Sequence, residues 1–225
     1  MSDPIEECVV AYRRERHHIK AFLESVREFF ASHPDLFTPP QPILHSIRSR
    51  LKDEDHLRDK LRRKSTDGKS IQPQDLLEKI TDLAGIRLLH LHQSQANEIH
   101  YVIMQQLKRG DWSLYEEPVA YTWDPESKGF FENLNIRTEL KESYYTSIHY
   151  VLKPRDDSPL CCEVQVRTLF EEAWGEIDHA INYPHKSPAI VCREQLLVLS
   201  RLVGAASRLT DSIFRAHGAV PALVE

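Results

Sequence analysis

Two neighbouring segments of this sequence alternate between apolar and polar residues, and this pattern narrows the choice of fold more than any other feature. The segments are TSIHYVLK at 146–153 and CCEVQVRT at 161–168, and the turn-rich PRDDSP separates them. Side chains on a β-strand point to opposite faces in turn, so the alternation predicts two strands. The short polar connection predicts that they form an antiparallel hairpin. Part of the core must therefore be built on a sheet.

The second strand of this hairpin has one apolar and one polar face. Its apolar face carries Cys162, Val164 and Val166. Its polar face carries Glu163, Gln165 and Arg167. A carboxylate, an amide and a guanidinium therefore stand in one row. The row either faces water, as in any half-exposed sheet, or lines a pocket that binds a cation and an anion together.

The first strand places a second polar row beside the first one. Alternation puts Tyr145, Ser147 and His149 on one face. An aromatic ring, a hydroxyl and an imidazole in this arrangement could stack on a nucleotide base and bind its ribose or phosphates. The alternative is an ordinary polar sheet face whose histidine is satisfied by its neighbours.

Hydrophobic periodicity predicts the remaining elements. The predicted helices cover 4–32, a segment beginning near Ile43, 74–80, 95–108, 169–183 and 188–216. The further predicted strands cover 84–92, 112–117 and 135–140, with a polar loop between the last two. Asp53 is expected to cap a helix, since its side chain can accept hydrogen bonds from free backbone N–H groups. The predicted fold class is α+β, with a small mixed sheet flanked by helices.

The charge of the chain is unevenly distributed. The 225 residues carry a formal net charge of −5, which argues against a general nucleic-acid binder. Residues 48–64 nevertheless hold eight basic and four acidic side chains, a local charge of +4. This basic segment either forms a solvated helix face or binds a small anionic ligand.

Composition is that of an ordinary globular protein, with 41% apolar and 28% charged residues. No uncharged apolar run approaches the roughly 18 residues of a membrane helix, and the N-terminus lacks the apolar centre of a signal peptide. The cysteines, at 8, 161, 162 and 192, lack the paired spacing of a zinc site or a disulfide framework. These features predict a cytoplasmic protein.

The segment TDLAGIRLL at 81–89 is a candidate metal site. Asp82 and Gly85 stand at the entry to a predicted strand that carries Arg87. A carboxylate at the mouth of a strand can hold Mg²⁺, which accepts one or two protein carboxylates together with substrate phosphates. The alternative is that Asp82 only caps a turn.

The predicted helix at 169–183 carries several acidic residues. Its expected buried side consists of Leu169, Ala173, Ile177 and Ala180. The same periodicity brings Glu172, Glu176 and His179 near one another. Although a Glu and a His three residues apart occur in di-iron helix bundles, such sites are built inside four-helix bundles. Surface ion pairing is therefore the role predicted for this cluster.

The order of these motifs resembles the synthetase domain of RelA/SpoT-type (p)ppGpp synthetases, and in particular the small alarmone synthetases. The motifs are RSRLKDEDHLRDKLRRK, DLAGIR, YYTSIH, EVQVRT and WGEIDH. The resemblance covers roughly residues 40–185. It divides the chain into an N-terminal helical extension at 1–39, the synthetase domain at 40–185 and a C-terminal helical extension at 186–225.

The resemblance implies a Mg²⁺-dependent transfer of the β,γ-pyrophosphate of ATP to the 3′-hydroxyl of GTP or GDP, with release of AMP. It also implies a nucleotidyltransferase-like mixed sheet of about five strands. Asp82 and Glu163 match the carboxylates that bind Mg²⁺ and carry catalysis, and Glu163 is a candidate to take the proton from the ribose hydroxyl. The ATP-side matches are Arg50, Lys52, Lys60, Arg63 and Arg87. The acceptor-side matches are Tyr145, which would stack on guanine, and His149, Gln165 and Arg167.

Two positions depart from the family pattern. Tyr144 stands where the family commonly has glycine, and His56 stands where a serine is common. Because Tyr144 adds bulk beside the implied acceptor site, the acceptor stays open. It is a guanine nucleotide, an adenine nucleotide, or the 3′ end of tRNA, which related toxin synthetases modify.

A different class of function is a non-catalytic nucleotide- or RNA-binding module that keeps the same fold. The presence of both Asp82 and Glu163 argues against it, because binding alone needs no paired metal site. The resemblance also implies homo-oligomers, dimers or tetramers, that form through the terminal helices. An antitoxin-like partner is left open, and the chain lacks the HD dipeptide of the family's hydrolase domain.

Overall fold

The computed structural model describes residues 3–37, 41–65, 70–141, 143–182 and 187–219. Within these ranges the helices are α1 Pro4–Ser32, α2 Pro34–Phe37, α3 Glu54–Lys64, α4 Leu76–Lys79, α5 Gln95–Arg109, α6 Pro125–Asn133, α7 Leu169–Asn182 and α8 Ile190–Ala219. The strands are β1 Ser46–Leu51, β2 Ala84–His90, β3 Ser113–Thr122, β4 Arg137–Leu140, β5 Ser147–Lys153 and β6 Cys162–Thr168.

These strands form one six-stranded sheet in the order β1-β2-β6-β5-β3-β4. β2 pairs with β6 and β3 pairs with β4 in parallel, whereas the other neighbouring strands are antiparallel. The predicted hairpin is confirmed as β5 and β6, with Tyr150 opposite Val164. The predicted α+β class, with a mixed sheet and long terminal helices, is confirmed as well.

The prediction of a helix that begins near Ile43 is wrong, because this part of the chain forms the edge strand β1. Each residue of β1 lies opposite a residue of β2, from Ser46 beside Leu89 to Leu51 beside Ala84. Hydrogen bonds from His45 N to Leu89 O (2.8 Å) and from Lys52 N to Leu83 O (2.8 Å) extend the pairing beyond both ends. Pairing with a buried neighbour decided the conformation here, since local sequence preference is a weak determinant of strands.

The polar loop predicted after residue 117 is also wrong. β3 continues to Thr122, and α6 occupies most of the remaining segment. Asp124 caps α6 by accepting a hydrogen bond from Ser127 N at 3.2 Å, and Pro125 stands in the first helical turn. A capping aspartate followed by proline is a helix-start signal that the polar composition of the segment concealed.

The main core lies on one face of the sheet, which packs against α1 and α5. Its buried side chains include Val26 and Phe30 of α1, Ile99 and Ile103 of α5, and Ile86, Leu88, Ile148, Val164 and Val166 of the strands. Burial of each such side chain stabilises the fold by roughly 1.5–3 kcal/mol. The opposite face of the sheet is polar, and α7 covers part of it.

The predicted buried side of α7 is wrong. Ala173, Ile177 and Ala180 are exposed, and the helix instead buries Glu172 and Trp174. The expectation assumed an apolar partner surface. Because α7 packs on the polar face of the sheet, its inward residues include a carboxylate.

The C-terminal helix α8 packs along α7 and buries Leu196 and Ser200. Its other side leaves Val198, Leu202 and Leu209 more than half exposed. Among the helices described above, none combines the length and the hydropathy that a membrane crossing requires.

Candidate active site

The strand register aligns the polar side chains of four strands on the face opposite the main core. One row across the sheet consists of Arg48, Arg87, Gln165 and His149, which lie side by side on β1, β2, β6 and β5. A neighbouring row consists of Arg50, Gly85 and Glu163. Residues opposite each other in a sheet point to the same side, so the polar row of EVQVRT lies beside arginines of β1 and β2 and a histidine of β5.

Asp82 stands in the turn that precedes β2 and is paired with two ammonium groups. Its Oδ2 lies 2.8 Å from Lys52 Nζ and 2.7 Å from Lys60 Nζ. Burial alone would raise the pKa of Asp82, but the two lysines outweigh it and hold this pKa below its usual value. Asp82 is therefore ionised at neutral pH.

Local structure fixes both lysines. The backbone of Lys52 donates to Leu83 O and accepts a 2.7 Å hydrogen bond from the hydroxyl of Tyr12, a buried residue of α1. Lys60 stands on α3, whose first turn is capped by Asp53 through a 2.8 Å bond from Asp55 N, as predicted. The basic helix is therefore held at a set orientation beside Asp82.

Glu163 is the second carboxylate of the site. Its Oε1 lies 3.2 Å from His149 Nδ1, and its Oε2 accepts a 2.8 Å hydrogen bond from Gln165 Nε2. Burial would raise the pKa of Glu163, but His149 and Gln165 stabilise the charged form, and the pKa lies below its usual value. The other ring nitrogen of His149, Nε2, lies 3.0 Å from the Tyr145 hydroxyl, so His149 links the carboxylate to the aromatic ring.

A cavity of about 220 Å³, termed here the first cavity, contains both carboxylates. Its lining residues are Arg48, Ser49, Arg50, Asp82, Gly85, Ile86, Arg87, Glu163 and Gln165. Three guanidinium groups and two carboxylates thus surround one space. This arrangement suits a ligand that carries several negative charges and a cation.

The donor set of the first cavity fits Mg²⁺. Asp82 Oδ1 is buried and has no hydrogen-bond partner within the described ranges, although a buried carboxylate oxygen normally has one. No group of three or more acidic, histidine or cysteine side chains gathers as a metal site in the same ranges. Two protein carboxylates, with the remaining ligands supplied by phosphate and water, are what Mg²⁺ commonly uses.

The carboxylate of Glu172 joins three strands to α7. Its Oε1 lies 3.1 Å from Arg48 Nη1 and 3.0 Å from Arg87 Nη1, and its Oε2 pairs with Arg167. The side chain of Glu172 is only 5% exposed. Arg87 also pairs with Glu176, whose side chain is 52% exposed. The prediction of surface ion pairs is therefore confirmed for Glu176 and wrong for Glu172, whose ion pairs with the arginines are buried.

The strand-to-helix junction that places Glu172 is a capping box. Glu171 Oε2 accepts from Thr168 N at 2.8 Å, and Thr168 Oγ1 accepts from Glu171 N at 3.3 Å. Trp174 then ties α7 to α8 by donating from Nε1 to Leu196 O at 3.0 Å. Gly175 lies close to the same guanidinium, and a Cβ there would stand 3.0 Å from Arg167 Nη1, so a larger residue would require Arg167 to shift.

A second cavity of about 300 Å³ adjoins the first. Its lining residues are Arg87, Tyr145, Gln165, Arg167, Trp174, Gly175, Asp178, His179 and Asn182. Arg87 and Gln165 line both cavities, so the two spaces meet there. The guanidinium of Arg167 lies over the ring of Tyr145, 5.7 Å from its centroid. An aromatic wall thus adjoins a charged one.

The departure at Tyr144 has a structural basis. Tyr144 has φ of 62°, a left-handed conformation that costs most residues about 1–2 kcal/mol and suits glycine. Its ring packs against Trp123, with centroids 4.9 Å apart, and lies under the guanidinium of Arg201. The side chain does not line the cavity that contains Tyr145.

The structure brings most of the predicted site residues to the two cavities or to Asp82. His149 lines neither cavity but contacts Glu163, which lines the first. Arg63 reaches neither the cavities nor Asp82, since it is exposed and donates to Asp59 O at 3.3 Å. Sequence reasoning missed Arg48, whose position beside Arg87 follows only once β1 is known to be a strand. It also missed the burial of Glu172. The apolar periodicity of this helix indicates a different buried face, and no other feature of the sequence indicates that Glu172 is buried.

Comparison with known proteins places these features in a family. Residues 49–188 match the sequence model of a region found in RelA / SpoT proteins. GTP pyrophosphokinase YjbM from Bacillus subtilis (strain 168) is 26% identical over 220 residues, which cover 96% of this chain and 89% of that protein.

Solved structures of small alarmone synthetase 1 from Bacillus subtilis share the fold. The TM-score is 0.61 at 23% identity, covering 96% of this chain and 97% of the other. The same protein bound to its product pppGpp gives 0.59 at 24% identity, with the same coverage. Bound to AMPCPP it gives 0.51 at 22% identity, covering 95% of each chain.

Proposed function

Since the chain belongs to the RelA/SpoT family, we propose that it is an ATP-dependent GTP pyrophosphokinase. It transfers the β,γ-pyrophosphate of ATP to the 3′-hydroxyl of GTP or GDP, which yields pppGpp or ppGpp and AMP. The observation that carries the proposal is the first cavity, where Asp82 and Glu163 stand among three guanidinium groups. The relatives bound to pppGpp and to AMPCPP support nucleotide substrates.

The first cavity is the proposed ATP site. Arg50 and Arg87 line it, and Lys52 and Lys60 are joined to its carboxylate Asp82. Pyrophosphoryl transfer requires positioning and neutralisation of phosphate charge more than covalent help from the protein. A cluster of cations on a protein of net negative charge meets that requirement.

Asp82 and Glu163 are the residues that would hold Mg²⁺. When bound, the ion would neutralise charge on the phosphate oxygens during transfer. The lysines beside Asp82 are close enough to take part of the same phosphate charge. Their ion pairs with Asp82 also keep that carboxylate ionised.

Glu163 is the proposed proton acceptor. The 3′-oxygen of the acceptor forms a bond to the β-phosphorus of ATP, and the bond from that phosphorus to the α,β-bridging oxygen breaks. AMP leaves with the bridging oxygen, and the hydroxyl proton passes to the carboxylate of Glu163. His149 and Gln165 bond both oxygens of this carboxylate, which orients it.

The second cavity is the proposed acceptor site. A purine stacked on Tyr145 would gain about 1–3 kcal/mol, the range found for stacking of bases on aromatic side chains. Arg167 lies over the ring of Tyr145, and His149 contacts its hydroxyl. Gln165 lines the same cavity and donates to the carboxylate of Glu163. Arg87 and Gln165 stand where the two cavities meet, so the reacting groups come together at that boundary.

The direct test incubates the protein with ATP, Mg²⁺ and one acceptor, and separates the nucleotides. GTP, GDP, ATP and deacylated tRNA are compared as acceptors. We expect AMP and a pyrophosphorylated guanine nucleotide, and Asp82→Asn or Glu163→Gln should abolish both. Asp59→Asn, which removes a carboxylate that pairs with Arg62 on α3, is the matched control and should remain active. Absence of AMP with every acceptor would refute the proposal.

We also propose that the protein forms homo-oligomers through its terminal helices, as the family resemblance implies. The exposed apolar side chains Val198, Leu202 and Leu209 of α8 support this, because their exposed fractions are 54%, 62% and 62%. A face of this kind is more typical of a subunit contact than of a helix that is free in water.

A further inference from the structure

Helix α1 contacts the chain on both sides of α3. Before α3, the hydroxyl of Tyr12 donates a hydrogen bond to Lys52 O at 2.7 Å. After α3, the thiol of Cys8 donates to Ile71 O at 3.3 Å. Both lysines that pair with Asp82 belong to the stretch that these two contacts enclose. α1 therefore holds the part of the chain that supplies these two cations to the proposed ATP site.

Between these two contacts, ion pairs join α1 directly to α3. Arg13 of α1 donates to both oxygens of Glu54, from Nε at 2.8 Å and from Nη2 at 2.6 Å. Arg58 of α3 donates in the same way to both oxygens of Glu6, at 2.7 and 3.0 Å. Since Arg58 also lies 3.7 Å from Glu54, the four side chains form one network of alternating charge, termed here the α1–α3 network. Two-pronged pairs and networks are the surface ion pairs that contribute measurably.

The spacing of these residues allows the network to set the orientation of α3. Positions 6 and 13 are about two turns apart on α1, and positions 54 and 58 are about one turn apart on α3, so each helix presents its pair on one face. Each helix offers one acid and one base. A shift of α3 by one turn would bring Glu54 toward Glu6, or Arg58 toward Arg13. Like charges would then face each other, so the network favours a single alignment.

A different face of α3 acts in the proposed reaction. It carries Lys60, whose Nζ lies 2.7 Å from Asp82 Oδ2. ATP phosphates would attract Lys60, and Asp82 is one of the carboxylates that would hold Mg²⁺, so this pair opens when the substrate binds. Leu57 and Leu61 still hold α3 against the core, but apolar packing is not directional. The α1–α3 network keeps its partners, because its four residues are not among the described lining of either cavity.

We infer that the four residues of the α1–α3 network are positioning residues for ATP, which hold α3 so that Lys60 reaches the phosphates. The inference rests on the proposed function and gives the N-terminal helix a role in its ATP site. It differs in sign from simple attraction of charge. ATP is an anion, so attraction alone would make the loss of a nearby carboxylate strengthen binding. Positioning requires that the loss of Glu54 weaken it.

The test measures the affinity of the whole protein for AMPCPP with Mg²⁺ by calorimetry, which needs no turnover. Glu54→Lys should raise the Kd at least about fivefold, since small misplacements of binding groups are costly. Adding Arg13→Glu restores an opposite charge across the two helices, and the double variant should bind at least about threefold more tightly than Glu54→Lys alone, because paired residues are not additive. Weakening of α3 by a cation near its N-terminus could not be rescued from α1.

Asp59→Lys is the matched control for charge. Asp59 pairs with Arg62 inside α3, so this variant makes the same change of charge without touching the contact with α1. It should bind AMPCPP as the wild type does, or more tightly. If Glu54→Lys binds as well as the wild type, or if Arg13→Glu weakens binding further in that background, the inference is overturned.

Arg58→Met and Arg62→Met give the same comparison without adding a charge. Each removes one arginine from α3, but only Arg58 reaches α1. Arg58→Met should raise the Kd for AMPCPP at least about fivefold, whereas Arg62→Met should stay within about twofold of the wild type, the usual scale for an exposed pair. Equal effects of the two variants would overturn the inference, because attraction of charge would then be enough.

Steady-state kinetics separates positioning from general damage. The KM for ATP should rise in Glu54→Lys and Arg58→Met, while the KM for GTP stays unchanged, because the described lining of the second cavity includes no residue of α1 or α3. A proportional rise of both KM values would overturn the inference. Absence of AMP with every acceptor, in a protein that shows the expected AMPCPP affinities, would overturn the proposed function alone. Absence of AMPCPP binding in the wild type would overturn both.

Discussion

Gly85 of β2 lies directly beside Glu163 of β6 in the parallel ladder, three residues after Asp82. This pairing explains how two carboxylates that are distant in the sequence reach one cavity. The parallel register fixes Glu163 at the entry of β2, and Asp82 stands in the turn that leads into the same entry. The absence of a side chain at Gly85 leaves the space between them open.

Gly85→Ala should therefore reduce activity without unfolding the protein. An added Cβ would have Glu163 O as its nearest neighbour, at 4.0 Å, so the fold accepts it. The methyl group would project into the first cavity, beside Arg50 and Glu163. We expect kcat/KM for ATP to fall at least about tenfold, since small misplacements of reacting groups cost up to about 100-fold. Initial rates of AMP formation measure this.

Gly129→Ala is the control for that substitution. Gly129 stands on α6, and a Cβ there would meet open space. Its activity should equal that of the wild type, and its melting temperature should be unchanged or slightly higher, since alanine favours helix. Wild-type kinetics in Gly85→Ala would show that the space beside Gly85 is not used by ATP.

Glu172→Gln should destabilise the fold strongly, because Arg167, itself buried, would lose its charge partner. Breaking a buried ion pair from one side commonly costs about 3–5 kcal/mol. Glu176→Gln is the matched comparison, because Glu176 pairs with Arg87 as Glu172 does, but its side chain is half exposed. Its expected cost is about 0–1 kcal/mol, the usual range for surface pairs.

Urea denaturation of both variants, followed by circular dichroism, measures this difference. A similar loss in the two variants would mean that Glu172 is not the centre of the arginine cluster. The same measurement on Arg167→Met distinguishes a loss of the ion pair from a loss of packing around α7. If the ion pair is the cause, Arg167→Met should be less damaging than Glu172→Gln, because only Glu172→Gln leaves a buried cation unpaired.

The sequence was sufficient to predict the central hairpin and to single out the two carboxylates that line the first cavity, because each rests on a local pattern. Glu163 alternates with Val164 along a strand, and this alternation holds whatever the strand packs against. Asp82 was placed by its position before an apolar strand. These features depend on a few neighbouring residues, so periodicity and motif order were enough.

The misread segments depend instead on their tertiary partners. β1 is a strand because it pairs with β2, and its basic residues fit a helix as well as an edge strand. α7 turns Glu172 inward because Arg48 and Arg87 stand on the sheet below it. No window of sequence around Glu172 contains those arginines, and the helix face could not be chosen without them.

The pH dependence of stability should reveal the ion pairs of Asp82. Its pKa is lowered in the fold, so the ionised group contributes stability that is complete above the ordinary value of 3.8. This contribution is lost as the pH falls through the lowered pKa. Asp82→Asn lacks it at every pH, and the variant should be less stable by about 1–3 kcal/mol at neutral pH, the cost of leaving buried polar partners unsatisfied.

Urea denaturation at pH 7, 5 and 3.5 compares the two proteins. The difference in free energy of unfolding should be the same at pH 7 and 5 and should begin to shrink at pH 3.5. Asp59→Asn, which removes a partly exposed carboxylate of α3, should show no such trend. A difference that grows toward low pH would contradict the direction of the shift in the pKa of Asp82.

The exposed side of α8 predicts a change of mass on substitution. If Leu202 and Leu209 lie in a subunit contact, Leu202→Glu would bury a charge there and dissociate the oligomer. Multi-angle light scattering should then give the mass of a monomer for this variant and a multiple of 26.2 kDa for the wild type. Arg215→Glu, on the same helix, is a control for an added acidic residue. A monomeric wild-type protein would rule out the predicted assembly.

Binding of the metal should depend on the nucleotide. Asp82 is already paired with Lys52 and Lys60, so a free divalent ion would meet a carboxylate whose charge is compensated. A nucleoside triphosphate adds negative charge and draws the lysines toward its phosphates, which releases Asp82 to a cation.

Electron paramagnetic resonance of Mn²⁺ should detect weak binding to the protein alone and much tighter binding with AMPCPP. Lys60→Met removes one compensating charge, and we expect it to raise the affinity for Mn²⁺ in the absence of nucleotide by at least about fivefold, or about 1 kcal/mol. Equal Mn²⁺ affinity in the variant and the wild type, with no nucleotide present, would show that Lys60 does not compete with the metal for Asp82.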